Sequence, residues 1–223
     1  MSILFIGDIH AKPNLVEQAL WLAHESDVTP IFLGDLLDGD KSADPVDSAY
    51  CVKLVRESGA LCVMGNHELY PIYARDKYDL AKWWDAQDDA ETADRIADEW
   101  FSILDYLSPA DTEWLRDLPL YIKGRRWIAV HAQLPIHSYR LPPQYVLGTS
   151  PTKSQVQLLD GTNTKPFWAE QYDGRFGHCY FGHTRRSKLK GRYLFDHATL
   201  LDWDAKKGGT AGACFLGDIP FAL

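Results

Sequence analysis

Five short polar signatures, each placed directly after a hydrophobic run, contain the residues of this chain most able to do chemistry. They combine aspartate, histidine and asparagine, which remain at the mouth of a buried strand only when something holds them there. Divalent metal ions bind such carboxylate, imidazole and amide donors. We therefore expect a hydrolytic centre with two metal ions. The signatures are Gly7-Asp8-Ile9-His10, Gly34-Asp35-Leu36-Leu37-Asp38, Gly65-Asn66-His67-Glu68, His131-Ala132 and Gly182-His183-Thr184.

The candidate ligands divide between two metal positions that share one carboxylate. Hydrolysis of a phosphate ester needs a nucleophile at neutral pH and neutralisation of the phosphoryl charge. Two metal ions roughly 3.5–4 Å apart supply both, because they lower the pKa of bound water to about 7. Asp35 is the candidate bridge. Asp8 and His10 would complete one position, since alternate residues of an extended chain project to the same side. The other position would use Asn66, His131 and His183.

A candidate general acid adjoins these ligands. His67 follows Asn66, so its imidazole can face the substrate rather than the metal and protonate the leaving alkoxide. Asp38 is expected to orient and charge it, and Glu68 to have a supporting structural role. The predicted mechanism is in-line attack on phosphorus by hydroxide bound at the metals, with His67 protonating the leaving group.

Composition and charge limit the possible partners. The chain has 223 residues, of which 46% are hydrophobic, and this is enough to bury one large core. We expect a single domain over residues 1–223. The 23 basic and 31 acidic residues give a formal charge of −8, which provides no general electrostatic footprint for long nucleic acid or an anionic membrane. A small substrate or a protein is the expected partner.

The N-terminal residues and the cysteines favour a cytoplasmic protein. The first six residues lack the charged region, long apolar stretch and cleavage site of a signal peptide. No apolar stretch has the length needed to span a bilayer. The cysteines show no Cys-x-x-Cys spacing, which indicates a reduced setting and small core residues. They are Cys51, Cys62, Cys179 and Cys214.

Hydrophobic patterning predicts two sheets. The first third alternates strand-like and helical segments as a βαβαβ unit, in which ligands bind beyond the carboxyl ends of the strands. Its strands are expected at residues 3–6, 30–33 and 60–64, and its helices at 15–24 and 45–57. Short strands from residue 127 onward predict a second, largely antiparallel sheet. These strands are expected at residues 127–130, 179–181, 192–195, 199–203 and 213–216.

Two long segments lie between the predicted strands. Residues 70–118 are helical in pattern and rich in tryptophan and acid, which is typical of solvated helix faces. A helical insert that caps the active site is the alternative. Residues 134–166 contain five prolines and are too long for a simple connector. We expect this proline-rich loop to form a wall or lid of the substrate pocket.

The ordered signatures resemble those of the calcineurin-like metallophosphoesterase superfamily across essentially the whole chain. The resemblance implies an α/β (α+β) fold, a four-layer αββα sandwich of two mixed sheets, with a dinuclear metal centre. It suggests Mn as the first choice of divalent metal, while the mixed nitrogen and oxygen ligands also accept Fe, Zn, Co or Ni. The family's metal ligands map onto Asp8, His10, Asp35, Asn66, His131 and His183, and its acid dyad onto His67 and Asp38.

Within the superfamily, the chain resembles the small bacterial and phage protein-phosphatase-like enzymes, which include symmetrical dinucleoside-tetraphosphatases. Two arginines that grip substrate phosphate in protein phosphatases are replaced here by Gly39 and Met64. Arg185 and Arg186, directly after the last histidine signature, are the first candidates for replacement cations. Further candidates in the proline-rich loop are Arg140, Lys153 and Lys165.

Four functions fit these features. The leading prediction is a metal-dependent phosphomonoesterase of the serine/threonine-phosphatase-like kind, acting on a phosphoprotein or a small phosphorylated metabolite. A symmetrical dinucleoside-tetraphosphatase would need an apolar or aromatic base pocket beside the metals. A phosphodiesterase is compatible with the missing arginines, because a diester carries less charge. A binding scaffold without catalysis is disfavoured, since neither a metal ligand nor His67 is lost.

Overall fold

Two five-stranded sheets form the centre of the fold. The computed structural model describes residues 2–38, 43–76, 103–144, 152–161 and 165–223. In chain order, the strands of these residues are β1 (Ile3–Ile6), β2 (Thr29–Phe32), β3 (Leu61–Cys62), β4 (Tyr121–Lys123), β5 (Trp127–Val130), β6 (His178–Phe181), β7 (Leu194–Phe195), β8 (Ala198–Leu200), β9 (Gly212–Phe215) and β10 (Phe221–Ala222).

Local signals fix the ends of several helices. Proline occupies the first turn of three of them, where its missing N–H leaves no hydrogen bond unmade. The second helix begins after Asp44, whose carboxylate accepts from the Val46 N–H, and ends at Gly59 with φ 71°. The described helices are α1 (Pro13–Glu25), α2 (Pro45–Ser58), α3 (Asn66–Asp76), α4 (Pro109–Arg116), α5 (Lys153–Asp160) and α6 (Trp168–Gln171).

The first sheet contains the predicted βαβαβ unit. Its strand order is β10-β9-β1-β2-β3, and β1, β2 and β3 run parallel. The carboxyl ends of these three strands therefore meet at one edge of the sheet, as the sequence pattern indicated. On the other side of β1, β9 pairs antiparallel and β10 completes the sheet.

The second sheet corrects one sequence-based expectation. Its order is β4-β5-β6-β8-β7, and the central pairs β5–β6 and β6–β8 are parallel, so the sheet is mixed rather than largely antiparallel. Parallel pairing is possible because long connections separate these strands in the chain. The predicted strand at residues 213–216 belongs to the first sheet, where Cys214 pairs with Phe5. Local periodicity identifies a strand but does not specify its partner.

Packing between the sheets explains the continuous apolar run at the start of the chain. Phe5 is fully buried, and its ring stacks on Tyr180 of the second sheet at a centroid distance of 3.8 Å. The ring of Trp127 meets the same phenylalanine edge-on at 5.2 Å. Leu4 and Ile6 belong instead to the core cluster that includes residues of α1 and α2. β1 is therefore covered on both faces, as parallel central strands generally are.

The two long segments are partly described. Of the predicted helical insert, residues 77–102 lie outside the described residues, and its two ends contain part of α3 and all of α4. Of the proline-rich loop, residues 145–151 and 162–164 lie outside them. Its helix α5 returns to the end of β5, where the carbonyls of Gln157 and Leu158 accept from Gln133 and Ala132. The single domain and the lid remain predictions.

The cysteines and helices bear on two further expectations. All four cysteines are buried and free of disulfide bonds. Among the described helices, none has both the length and the apolar character required to cross a membrane.

Candidate metal centre

The polar signatures follow strands of both sheets. Asp8 comes two residues after β1, Asp35 three residues after β2, and Asn66 opens α3 shortly after β3. His131 directly follows β5, and His183 comes two residues after β6. Because each of these strands has a parallel partner, the fold gathers the side chains at the carboxyl ends of the two sheets. Each sheet contributes part of the candidate ligand set.

Two groups of side chains could each hold a metal ion, and Asp35 belongs to both. In each group the candidate ligand atoms lie within 4.8 Å of one another. One group contains His10 and His67, and the other contains His131 and His183. A carboxylate shared by two groups is the arrangement needed to bridge two divalent ions. Sequence patterning had assigned this position to the same residue.

The second group brings unprotonated acceptor atoms together. Asn66 Oδ1 lies 3.0 Å from His131 Nε2 and 3.1 Å from His183 Nδ1, and these two nitrogens are 3.2 Å apart. His131 Nδ1 donates to the Leu33 carbonyl at 2.7 Å, which leaves the Nε2 lone pair directed at the group. His183 Nε2 lies 3.3 Å from Asp160 Oδ1, so its Nδ1 is likewise left as an acceptor. Imidazoles held through one nitrogen in this way are suited to bind a metal through the other.

Burial keeps these imidazoles neutral. Desolvation lowers the pKa of His183 to about 4, with a contribution from the positive charge of Lys188. The pKa of His131 is lowered well below its usual range, again mainly by burial and then by His183. Neutral imidazole is the form that ligates metals, so the two side chains need not lose a proton at neutral pH.

The first position contains a buried carboxylate beside an imidazole. Asp8 is fully buried, and its two oxygens accept from the His183 N–H at 3.1 and 2.9 Å. Burial raises its pKa well above the usual range, and the charges of Asp202 and Asp35 add to the effect. His10 Nε2 is 3.7 Å from Asp8 Oδ2 and 3.8 Å from Asp35 Oδ2. Two buried carboxylates on either side of one neutral imidazole need a cation to remain ionised.

The donor set therefore fits two divalent ions. Carboxylate, amide and neutral imidazole groups converge with their acceptor atoms facing one another, which only a bound cation or proton stabilises. Two buried polar atoms at the centre, His10 Nδ1 and Asp202 Oδ2, have no hydrogen-bond partner among the described residues. His10 is a candidate ligand, and the charge of Asp202 acts on Asp8, so both atoms belong to this cluster.

Three candidate ligands adopt left-handed backbone conformations. The φ angles are 49° for His10, 51° for Asp35 and 63° for His183. Such conformations cost roughly 1–2 kcal/mol for a residue other than glycine. Strained backbone persists where the surrounding structure imposes it, and it clusters at functional sites. Its occurrence at one ligand from each of three strand ends is further support for a built centre.

Glu68 organises the loop that carries the bridging candidate. Its carboxylate is fully buried and accepts from the N–H groups of Asp35 at 2.7 Å and Leu36 at 2.7 Å. It also accepts from Leu37 at 3.3 Å and Gly65 at 2.9 Å. One side chain of α3 thereby holds the second and third signatures together. Its role is to position Asp35, which agrees with the supporting function expected from the sequence.

Two signature glycines are required by close approach. Gly34 has φ 89°, and a side chain there would meet the backbone of Gly65 at 2.7 Å. A side chain at Gly182 would overlap the carboxylate of Asp8. The glycines of the signatures thus leave space for the neighbouring loop and for a candidate ligand.

The structure places His67 beside Asp35, and the Leu37 carbonyl accepts the proton of its ring Nδ1. The backbone N–H of His67 donates to Asp35 Oδ1 at 3.1 Å, and the ring Nδ1 lies 3.0 Å from the Leu37 carbonyl. Its Nε2 lies 3.8 Å from Asp35 Oδ2. Asp38 Oδ1 is 3.9 Å from Nδ1, which is beyond hydrogen-bond distance. The Leu37 carbonyl therefore orients the ring, and the Asp38 carboxylate lies near it without a hydrogen bond.

The two arginines expected to bind substrate phosphate lie in different surroundings. Arg186 donates to the Gly191 carbonyl at 3.0 Å. Its guanidinium also lies 4.6 Å from the ring centre of Tyr193 and 4.5 Å from that of Trp203. Arg185 is half-buried, and its charge acts on His10 and Asp202. Of the two, Arg185 is the one whose charge reaches the centre.

Comparison with known proteins decides the family. A model described as calcineurin-like phosphoesterase matches residues 1–217. The chain belongs to the calcineurin-like phosphoesterase family. Members of this family use a dinuclear centre of divalent metal ions, and the chain is a hydrolase that acts on phosphate ester bonds. The resemblance of the ordered signatures is confirmed, and so is the mixed two-sheet fold.

Solved structures share the fold of this calcineurin-like phosphoesterase. One is a candidate diadenosine tetraphosphatase with a TM-score of 0.66 and 20% identity, and the match covers 100% of this chain and 92% of that one. Another is a metallophosphoesterase from Sphaerobacter thermophilus with a TM-score of 0.53 and 18% identity, covering 97% of this chain and 83% of that one. No curated protein matches the sequence.

Sequence reasoning missed three charged residues at the centre. Asp160 contacts His183, and Lys206 lies 3.2 Å from Asp38 Oδ1. Asp202 is 1% exposed, and burial raises its pKa to about 6. Asp202 follows an apolar run, the same pattern that marked the five signatures, so this signal could have found it. No comparable pattern points to the other two.

Replacing Glu68 with glutamine is expected to weaken metal binding. The amide presents one NH₂ group to backbone donors, which leaves at least one N–H unpaired and loosens the loop of Asp35. Changes to groups that orient metal ligands typically reduce affinity about 10- to 100-fold, and calorimetric titration with Mn²⁺ measures this loss. Glu17→Gln, on the exposed face of α1, is the matched control. Equal Mn²⁺ affinity in Glu68→Gln and wild type would contradict the positioning role.

Proposed function

We propose that this protein is a phosphomonoesterase that depends on two divalent metal ions. The observation that carries the proposal is the membership of Asp35 in two ligand groups within the centre. Two bound ions would neutralise charge on the phosphoryl oxygens and provide a nucleophile at neutral pH. We propose His10 and Asp35 of the first group for one ion, with Asp8 as a further ligand in place of His67, which we assign to proton transfer. Asn66, His131 and His183 with the same aspartate would hold the other ion. Mn is the first candidate, followed by Fe, Zn, Co or Ni.

His67 is the proposed general acid. Its Nδ1 is occupied by the Leu37 carbonyl, so Nε2 is the atom that exchanges a proton with the substrate. Burial lowers its pKa well below the usual range, and His10 and Lys206 add to this effect. An arriving phosphate dianion would oppose that shift, because a nearby negative charge favours the protonated imidazole. Asp38, 3.9 Å from the ring, would contribute in the same direction.

Three positively charged side chains near the centre favour a monoester substrate over a diester. Lys206 contacts Asp38 at 3.2 Å, and the charges of Lys12 and Arg185 also act on His10. A monoester dianion gains more from these cations than a diester monoanion does. The substrate class proposed is therefore a small phosphorylated compound or a phosphoprotein. Four buried, free cysteines support the proposal of a reduced cytoplasmic setting.

A substrate panel tests the proposed function. We expect protein reconstituted with Mn²⁺ to hydrolyse p-nitrophenyl phosphate with a higher kcat/KM than bis-p-nitrophenyl phosphate or diadenosine tetraphosphate. Preference for the diester would instead establish a phosphodiesterase. Activity on the dinucleotide alone would establish a tetraphosphatase, and no turnover with full metal occupancy would favour a scaffold.

Substitution of His67 by alanine tests the general acid. The leaving group p-nitrophenolate departs without protonation, whereas phenolate needs a proton. A general acid contributes about 10²- to 10⁴-fold, so we expect at least about a 100-fold loss of kcat with phenyl phosphate and a much smaller loss with p-nitrophenyl phosphate. The backbone N–H that binds Asp35 remains in the variant.

The exposed His137 provides the control for this experiment. His137→Ala should turn over both substrates at the wild-type rate. Equal losses on the two substrates in His67→Ala, with metal content unchanged, would rule out the acid role.

A further inference from the structure

Lys206 is a cation at the centre that arrives from a distant part of the chain. Its Nζ lies 3.2 Å from Asp38 Oδ1. The Asp38 side chain is 6% exposed, and that of Lys206 is 27% exposed. The ammonium therefore reaches from the protein surface to a buried carboxylate of the second signature.

The turn that carries Lys206 is fixed on several sides. Ala205 is fully buried, and it begins a short 3-10 turn that ends at Lys207. Before the turn, the carboxylate of Asp204 accepts from the backbone N–H and the hydroxyl of Ser187. After it, Lys12 at the start of α1 donates to the Gly209 carbonyl at 2.9 Å. The backbone of Lys206 is thus held in place before substrate binds.

The carboxylate that binds the Lys206 ammonium lies next to both a proposed metal ligand and the proposed general acid. Asp38 Oδ2 is 3.7 Å from His10 Nδ1, and Asp38 Oδ1 is 3.9 Å from His67 Nδ1. Lys206 is therefore separated by a single carboxylate from a proposed metal ligand and from the proposed acid. An ammonium group has three N–H donors, and Asp38 takes one of them. The remaining donor capacity suits an anionic oxygen at the same place.

Two other cations near the centre are committed elsewhere, whereas Arg185 acts on His10 and Asp202 through its charge. Lys12 donates to Gly209, and Arg186 is held by Gly191 and by two aromatic rings. Lys206 instead pairs with an anion that faces the centre. Its charge is also close enough to lower the pKa of His10, after the larger effect of burial.

We propose that Lys206 binds a non-bridging phosphoryl oxygen of the substrate while remaining paired with Asp38. This assignment rests on the proposed phosphomonoesterase function and extends it to a substrate-binding residue. Gly39 follows the second signature and Met64 precedes the third, and neither side chain carries a charge. Lys206, from the turn near the C-terminus, would supply the positive charge that these two positions lack.

The first test measures the binding of inorganic phosphate to the Mn²⁺-loaded protein by calorimetry. Lys206→Met removes the charge and keeps the apolar stem, and a lost charge-assisted hydrogen bond should weaken phosphate binding about 10- to 100-fold. Lys206→Arg should restore most of the affinity. Lys207→Met, at the exposed neighbouring position, is the matched control and should bind as wild type does.

The second test measures kcat/KM on two substrates. Lys206→Met should lose about 10- to 100-fold with p-nitrophenyl phosphate and markedly less with bis-p-nitrophenyl phosphate, because the diester carries less charge. Metal content should stay at the wild-type value.

Several results would overturn the assignment. They are unchanged phosphate affinity in Lys206→Met, equal losses on the two substrates, loss of bound metal, or no phosphate binding by the wild type. If Lys206→Met lost the same factor of kcat/KM on both substrates, and Asp38→Asn showed the same losses, the lysine would only position the aspartate. A different result would reject the proposed function, namely a preference of the wild type for the diester. The phosphate titration would still test Lys206 in that case.

Discussion

The candidate metal centre buries several carboxylates and neutral imidazoles together, which is unfavourable in free energy unless a cation compensates their charge. Asp8 and Asp35 are almost completely buried, and Glu68 and Asp202 lie close enough to raise their pKa values after the main effect of burial. Isolated charges in such surroundings are costly unless a cation compensates them. Divalent ions at this place would turn an unfavourable cluster into a ligand set. The left-handed backbone at three candidate ligands indicates that the fold imposes the arrangement.

The centre needs both sheets. Asp8, Asp35 and Asn66 follow strands of the first sheet, whereas His131 and His183 follow strands of the second. The relative position of the sheets is set by packing such as the stack of Phe5 on Tyr180. Contacts across the centre, including the bond from the His183 N–H to Asp8, join the two edges directly. Metal binding should therefore stabilise the folded chain as a whole, because no preformed site exists in the unfolded state.

The sequence predicted the local features well and the long-range contacts poorly. Apolar runs ending in Asp, Asn or His located the candidate ligands, and alternating periods located the βαβαβ unit. The pairing of β9 with β1 was not predicted, because an apolar strand fits either sheet until its hydrogen-bond partner is known. The contact of Lys206 with Asp38 joins residues far apart in the chain, and no motif encodes it. Glu68 was recognised as supporting, but its four backbone partners became evident only in three dimensions.

Anomalous X-ray diffraction from crystals grown with Mn²⁺ tests the central claim, a dinuclear centre bridged by Asp35. The account predicts two anomalous peaks roughly 3.5–4 Å apart, both in contact with Asp35. Asp8 and His10 should bind one ion, while Asn66, His131 and His183 should bind the other. A single fully occupied peak, or two peaks of which only one contacts Asp35, would contradict the account.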